Sequence, residues 1–207
     1  MGGIGGTFST MSWLAVLGGA YTLYQLSRGW PDFWNRELSP KSRQLAGGVA
    51  FFLLVPIGVL LHEFGHMLAA WSTSSTVLGL HYFVYWGYVS YVPSSDSAVL
   101  AWYVALAGNF VSFVLGVICL AVALRATQIR AVARLVLAQL GVLELTQTLI
   151  FYPLISLDPQ FDGDWDAIYS FGAPLASWAT AIVHAASLVA FTLVLRKSRE
   201  ANWLLRG

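Results

Sequence analysis

Residues 46–71 read AGGVAFFLLVPIGVLLHEFGHMLAAW, an almost wholly apolar stretch with His62-Glu63-Phe64-Gly65-His66 set inside it. A hydrocarbon core takes about 20 helical residues, so the stretch predicts a membrane-spanning helix. On that helix His62 and His66 stand one turn apart on one face, so both imidazoles reach one Zn²⁺ while Glu63 lies beside them as a base. A chance match on a core helix is the ordinary alternative. Lipid weighs against it, because an ionised side chain near mid-bilayer costs about 2.5–3.5 kcal/mol even on the lenient insertion scale. A carboxylate flanked by two histidines at that depth is expected to carry chemistry.

Composition supports the membrane reading. The 207 residues are 57% hydrophobic and 10% charged, with a mean hydropathy of +0.68, too few charges to clothe a water-soluble globule of this size. The net charge of +1, without a long run of like charge, gives no sign of a nucleic-acid partner. The single Cys119 lies in an apolar run, where it reads as a small buried hydrophobe. The glycine-rich start has no Lys or Arg before Arg28, so the first apolar stretch reads as a retained segment rather than a signal peptide.

Five stretches are long enough to span: Phe8 to Leu26, Ala46 to Trp71, Ala98 to Ala126, Ala131 to Ile155 and Pro174 to Leu195. Between the second and third, Val77 to Tyr91 is rich in β-branched and aromatic residues, which favour strands, with Gly79 and Gly87 as bends. The expected fold is an all-α polytopic membrane protein, with about five transmembrane helices and a small β-hairpin at the membrane surface. Residues 1–207 read as a single membrane domain, since no segment is large enough for a separate soluble one.

All 11 Lys and Arg fall in Arg28 to Arg43, Arg125 to Arg134 and Arg196 to Arg206, which five spans place on one side. The other side holds Asp96, Asp158, Asp162, Asp164 and Asp166. By the positive-inside rule the C-terminus is cytoplasmic and the histidine motif lies in the outer half of its helix. Cysteines placed at Ser94 and Ser198 in a Cys119→Ala background are expected to label from outside and from inside respectively. Outside access to position 198 alone would reverse the assignment. Trp13, Trp30, Trp34, Trp71 and Trp203 near span ends read as interfacial aromatics.

A catalytic zinc takes three protein ligands and an open position, so two histidines leave one ligand to find. His81, His184, Glu144 and the acidic cluster are the candidates. His81, in the expected hairpin, reads as a surface histidine. His184, mid-way along the last span, reads as a satisfied core histidine or a partner of the ligands. Glu144 and Gln147, one turn apart in the fourth span, form a polar stripe facing the bundle interior, suited to hydrogen bonding there or to a substrate.

In this order of elements the chain resembles the site-2 protease family of intramembrane zinc metalloproteases, the M50 peptidases. The likeness rests on His62-Glu63-Phe64-Gly65-His66, on Ala107-Gly108 after the aromatic strand region, and on Tyr152-Pro153 ahead of an acidic, glycine-containing stretch. It covers about residues 46–170, and only the first of the three is sharply specific. The resemblance implies a Zn²⁺ held by His62, His66 and an aspartate, with Glu63 as the catalytic base. It also implies a substrate that is a transmembrane segment of another membrane protein, unwound against the strand region. The family's Pro and Asn in the second element are replaced here by Asn109 and Ser112, and its Asn in the third by Ile150, for which Gln147 is a substitute.

Three aspartates compete for the ligand position. Asp158 has the family's distance from Pro153, and Asp162 is followed by Gly163. Asp164 precedes Trp165, Ile168, Tyr169 and Gly172, an i, i+3, i+4, i+7 face, so it begins a short inward-packed helix. A ligand on a packed element is held more firmly than one on a loop, which ranks Asp164 first, Asp162 second and Asp158 third. The rival readings are a non-catalytic membrane scaffold or metal-binding protein of degenerate protease fold, and a zinc hydrolase of a small membrane substrate.

Overall fold

The computed structural model describes residues 4–34, 37–158, 161 and 163–206. The chain runs α1 (Ile4–Arg28), α2 (Trp30–Phe33), α3 (Pro40–Gly48), a π-helical turn (Val49–Leu54), α4 (Val55–Ser72), β1 (Thr76–Tyr82) and β2 (Gly87–Val92). It continues through α5 (Ala98–Arg125), α6 (Ala131–Thr146), a second π-helical turn (Gln147–Phe151), α7 (Tyr152–Ile155), α8 (Asp164–Ile168), α9 (Pro174–Lys197) and α10 (Arg199–Arg206). Among the described residues, four helical stretches are long and apolar enough to cross a membrane: Pro40–Ser72, Ala98–Arg125, Ala131–Ile155 and Pro174–Lys197. Helix α1, with 25 residues, has the length of the expected first span but is not among the four. Leu175, Trp178, Ile182, Val183 and Val189 all stand exposed on α9, an outer surface suited to lipid rather than water.

The main core packs α3, α5 and α6 around Leu45, Ala46, Cys119, Ala123, Val132, Leu135 and Ala138. Cys119 is buried there as a small hydrophobe. At the basic end α10 closes this core with Leu204, and Arg134 ties it down: its Nε donates to the Ala123 carbonyl and its guanidinium lies 2.6 Å from Glu200. Small residues bring α4 and α5 together. A Cβ at Gly65 would meet the Ala107 carbonyl oxygen at 2.8 Å and Gly108 Cα at 2.9 Å, so the two backbones touch where the histidines project.

Each of the two stretches with a π-helical turn contains a proline, and each frees backbone acceptors that another element satisfies. Pro56 has no N–H for the carbonyl of Phe51 in the π register or of Phe52 in the α register. The Tyr85 hydroxyl donates to both, at 3.3 and 3.1 Å. Burial, with Tyr82 nearby, pushes the Tyr85 phenol up to about 12, so it remains a donor through the neutral range. Pro153 likewise deprives Leu149, whose carbonyl accepts instead from His184 Nε2 at 2.8 Å.

The strands form the expected antiparallel hairpin, but its bends differ from expectation. The turn is Phe83 to Trp86, closed by Phe83 N–H donating to the Trp86 carbonyl, with Val84 at φ 70°. Gly87 begins β2, and Gly79 adjoins a bulge in β1. The hairpin folds back along α4. Tyr82 donates to the Pro56 carbonyl at 2.8 Å, and Tyr85 reaches residues 51 and 52, so the tip lies beside the π-helical turn in the middle of the stretch. The freed carbonyls there are the reason: they need donors that neither the helix nor hydrocarbon supplies.

Candidate metal centre

His62 and His66 project from α4 towards the small-residue face of α5. Their Nε2 atoms are 3.0 Å apart, and Asp164 Oδ2 lies 3.2 Å from each. These three residues are the group among the described residues able to hold a metal ion. Asp158 is outside the group, and Asp162 lies outside the described residues. Asp164 is the first residue of α8, which is anchored by buried Trp165 and Ile168 against Ala105 of α5. The helix ends at Ile168, so Gly172 is not part of its inward face.

Three observations test the fit to a metal. The His66 Nδ1–H donates to the Val104 carbonyl at 2.8 Å, which in a neutral imidazole leaves Nε2 as a lone pair aimed at the carboxylate. Converging electron pairs at 3.0–3.2 Å call for a proton or a cation between them. A tetrahedral ion with ligands at about 2.0–2.1 Å sets neighbouring ligand atoms about 3.3–3.4 Å apart, close to the observed triangle. Finally, a Cβ at Gly108 would lie 2.8 Å from His62 Nε2 and overlap the His66 ring, so glycine there keeps open the volume a bound ion would use.

The surroundings orient all three groups. Asn109 Nδ2 donates to Asp164 Oδ2 at 2.9 Å, and Ser112 Oγ lies 3.2 Å from His62 Nδ1. The two residues standing where the resembled family has Pro and Asn thus both face the cluster. Burial pushes the Asp164 carboxyl up, but His66 and His62 outweigh it and hold the group below the usual carboxylate range. The anion is the form a cation needs.

Glu63 is buried next to the cluster, and its Oε2 has no hydrogen-bond partner among the described residues. The hairpin covers it. A Cβ at Gly87 would meet Glu63 Cγ at 2.9 Å, so the β2 backbone rests directly on this side chain.

The other candidates lie elsewhere. His81 is exposed on β1, bonded to Ser90 Oγ at 3.1 Å and stacked on Tyr88. His184 has both ring nitrogens engaged: Nε2 donates to Leu149 and Nδ1 accepts from Tyr169 at 2.6 Å, which links α9 to the segment following α8. The expected Glu144–Gln147 stripe is only half correct. Glu144 is buried, whereas Gln147 is exposed at the start of the π-helical turn.

Sequence reasoning missed Val104, Gly108 as an opening beside the imidazoles, and Gly87. A backbone carbonyl such as that of Val104 leaves no trace in a sequence. The four-residue spacing of Gly108, Ser112 and Gly116 is a signal that was there to read, since it marks the face of α5 turned to its neighbours. Compared with family models, characterised proteins and solved structures, the chain gives no match.

Proposed function

We propose that the protein is an integral-membrane zinc metalloprotease that hydrolyses a peptide bond in or near a transmembrane segment of another protein. The reading takes α1 as a fifth span. The observation that carries it is the placement of buried, unpartnered Glu63 Oε2 beside a two-histidine, one-carboxylate triangle within an apolar helix. His62, His66 and Asp164 would hold Zn²⁺, whose chemistry is to lower the pKa of water towards 7 and to polarise a carbonyl. Glu63 Oε2 takes a proton from the attacking water, whose oxygen bonds to the scissile carbon. As the C–N bond breaks, Glu63 returns that proton to the leaving amine. Metal binding alone requires no such base, which weighs against a scaffold.

A helical substrate hides its peptide bonds in its own hydrogen bonds, and unpaired backbone groups in lipid cost several kcal/mol each. An exposed strand edge offsets that cost by pairing with the unwound segment. Strand β2 rests on Glu63 and, among the described residues, has one edge with no strand paired to it. Phe83 and Trp86 are a hydrogen-bonded pair, so by alternation Leu80 and Val89 are a non-bonded one, and the Val89 N–H points away from β1. Val89→Pro therefore removes an edge donor without removing a bond between the strands. It is expected to lower cleavage of a membrane-spanning peptide at least tenfold with metal content unchanged. Undiminished cleavage would favour a small membrane substrate. Val84 does not serve for this test, because its positive φ excludes proline at once.

The test of the function itself is a comparison of membrane peptides in cells carrying wild type or Glu63→Gln. Fragments ending inside transmembrane segments should appear only with the wild type. Identical peptide sets would sink the protease reading.

A further inference from the structure

Asn109 is 2% exposed within α5, and the two ends of its amide are unequally served. Nδ2 donates to the Ala105 carbonyl one turn back at 3.1 Å and to Asp164 Oδ2 at 2.9 Å. Both partners are acceptors, so they fix which end of the amide is nitrogen; turned over, the side chain would set oxygen against oxygen twice. Oδ1 has no hydrogen-bond partner among the described residues. A buried acceptor left unpaired is costly, and an apolar side chain of similar shape would avoid that cost. The amide therefore stands here for its nitrogen.

Asp164 needs what that nitrogen supplies. Helix α8 has five residues, too few to hold their own place, and it leans on α5 through Trp165 and Ile168 against Ala105. Those contacts fix the helix but not the carboxyl group at its first residue. The last torsion of an aspartate is broad and roughly two-fold, so either oxygen is free to turn towards the imidazoles. The bond from Asn109 selects Oδ2, the oxygen that lies 3.2 Å from both Nε2 atoms. On the same helix, the Val104 carbonyl stands behind His66 and the Ser112 hydroxyl behind His62. Helix α5 thus gives each corner of the triangle a polar contact, and Asn109 serves the corner carried by α8.

We propose that Asn109 is a positioning residue for Asp164, holding Oδ2 towards the two imidazoles before a metal ion arrives. This rests on reading the triangle as a metal site. The experiment uses the full chain purified in detergent, with Zn²⁺ affinity measured by chelator competition, the visible spectrum recorded with Co²⁺ bound, and the melting of the metal-free protein followed. Asn109→Leu keeps the branch at Cγ and removes the donor. It is expected to weaken Zn²⁺ binding about 10- to 100-fold and to shift the Co²⁺ bands, with the metal-free melting temperature within about 4 °C of the wild type. In an Asp164→Ala background the same substitution should weaken binding no further, because the group it positions is already gone.

Wild-type affinity and spectrum in Asn109→Leu would overturn the proposal and leave the metal site standing. A further loss in the double variant would overturn it too, since Asn109 would then act on something other than Asp164. If Asn109→Leu melts early or does not fold, Asn109→Ala decides by the same measurements. Weakened binding with the metal-free melting temperature kept supports the proposal. Wild-type affinity overturns it, and so does early melting or a failure to fold in both variants, because the amide would then hold the fold rather than the ligand. A wild-type protein that binds neither ion would remove the metal reading and the proposal together.

Discussion

Glu63→Gln protein is expected to fold and to hold Zn²⁺ as the wild type does, while cleaving a membrane-spanning peptide about 10²- to 10⁴-fold more slowly. The amide matches the carboxylate in volume, so the contact with Gly87 survives, and both imidazoles and Asp164 remain in place. What disappears is the proton acceptor, and a general base contributes a factor of that size, about 3–5 kcal/mol in the barrier. His62→Ala should fail differently, by losing the metal itself. Two assays on the same preparations, metal content and single-turnover cleavage, separate these outcomes. Wild-type cleavage by purified Glu63→Gln protein would end the proposed mechanism.

The second large effect is expected at Asp164. A ligating carboxylate must meet zinc at about 2.0–2.2 Å, so its removal takes away a bond rather than a support. Asp164→Ala should therefore lower metal affinity by more than the 10- to 100-fold expected of an outer contact, and abolish most of the activity. Asp164→Asn is the control for shape, since it preserves volume and loses the charge. Asp158→Ala and Asp162→Ala should stay close to wild type. A metal titration in which either of those carries the loss would displace Asp164 while keeping the two histidines. Full activity in all three would return the search for a ligand to Glu144 and His184.

What a reader of the sequence can recover divides by range. His62, Glu63 and His66 depend on one another through a single helical turn, so their spacing alone predicts a shared face. Asp164 was legible one step further away, because Trp165 and Ile168 mark the buried side of the helix it begins. Asn109 and Ser112 were legible only as departures from a resembled pattern, since their contacts span 55 and 50 positions of chain. Gln147 failed because a three-residue spacing puts two side chains near one another on a helix without placing both on its buried side. The hairpin was legible as strands, but its course along α4 was not, since it is held there through carbonyls left without donors by Pro56.

That arrangement makes Pro56 a joint whose angle is set from outside its own helix. The Tyr85 phenol holds the Phe51 and Phe52 carbonyls ahead of Pro56, and the Tyr82 phenol holds the carbonyl of Pro56 itself, at the start of the helix that bears His62 and His66. Any guest that draws the hairpin away from Glu63 also pulls these phenols, stranding acceptors where no water replaces them, at several kcal/mol each. The backbone that covers the base and the phenols that satisfy the carbonyls around Pro56 thus belong to one hairpin, so a change that displaced one would cost the other.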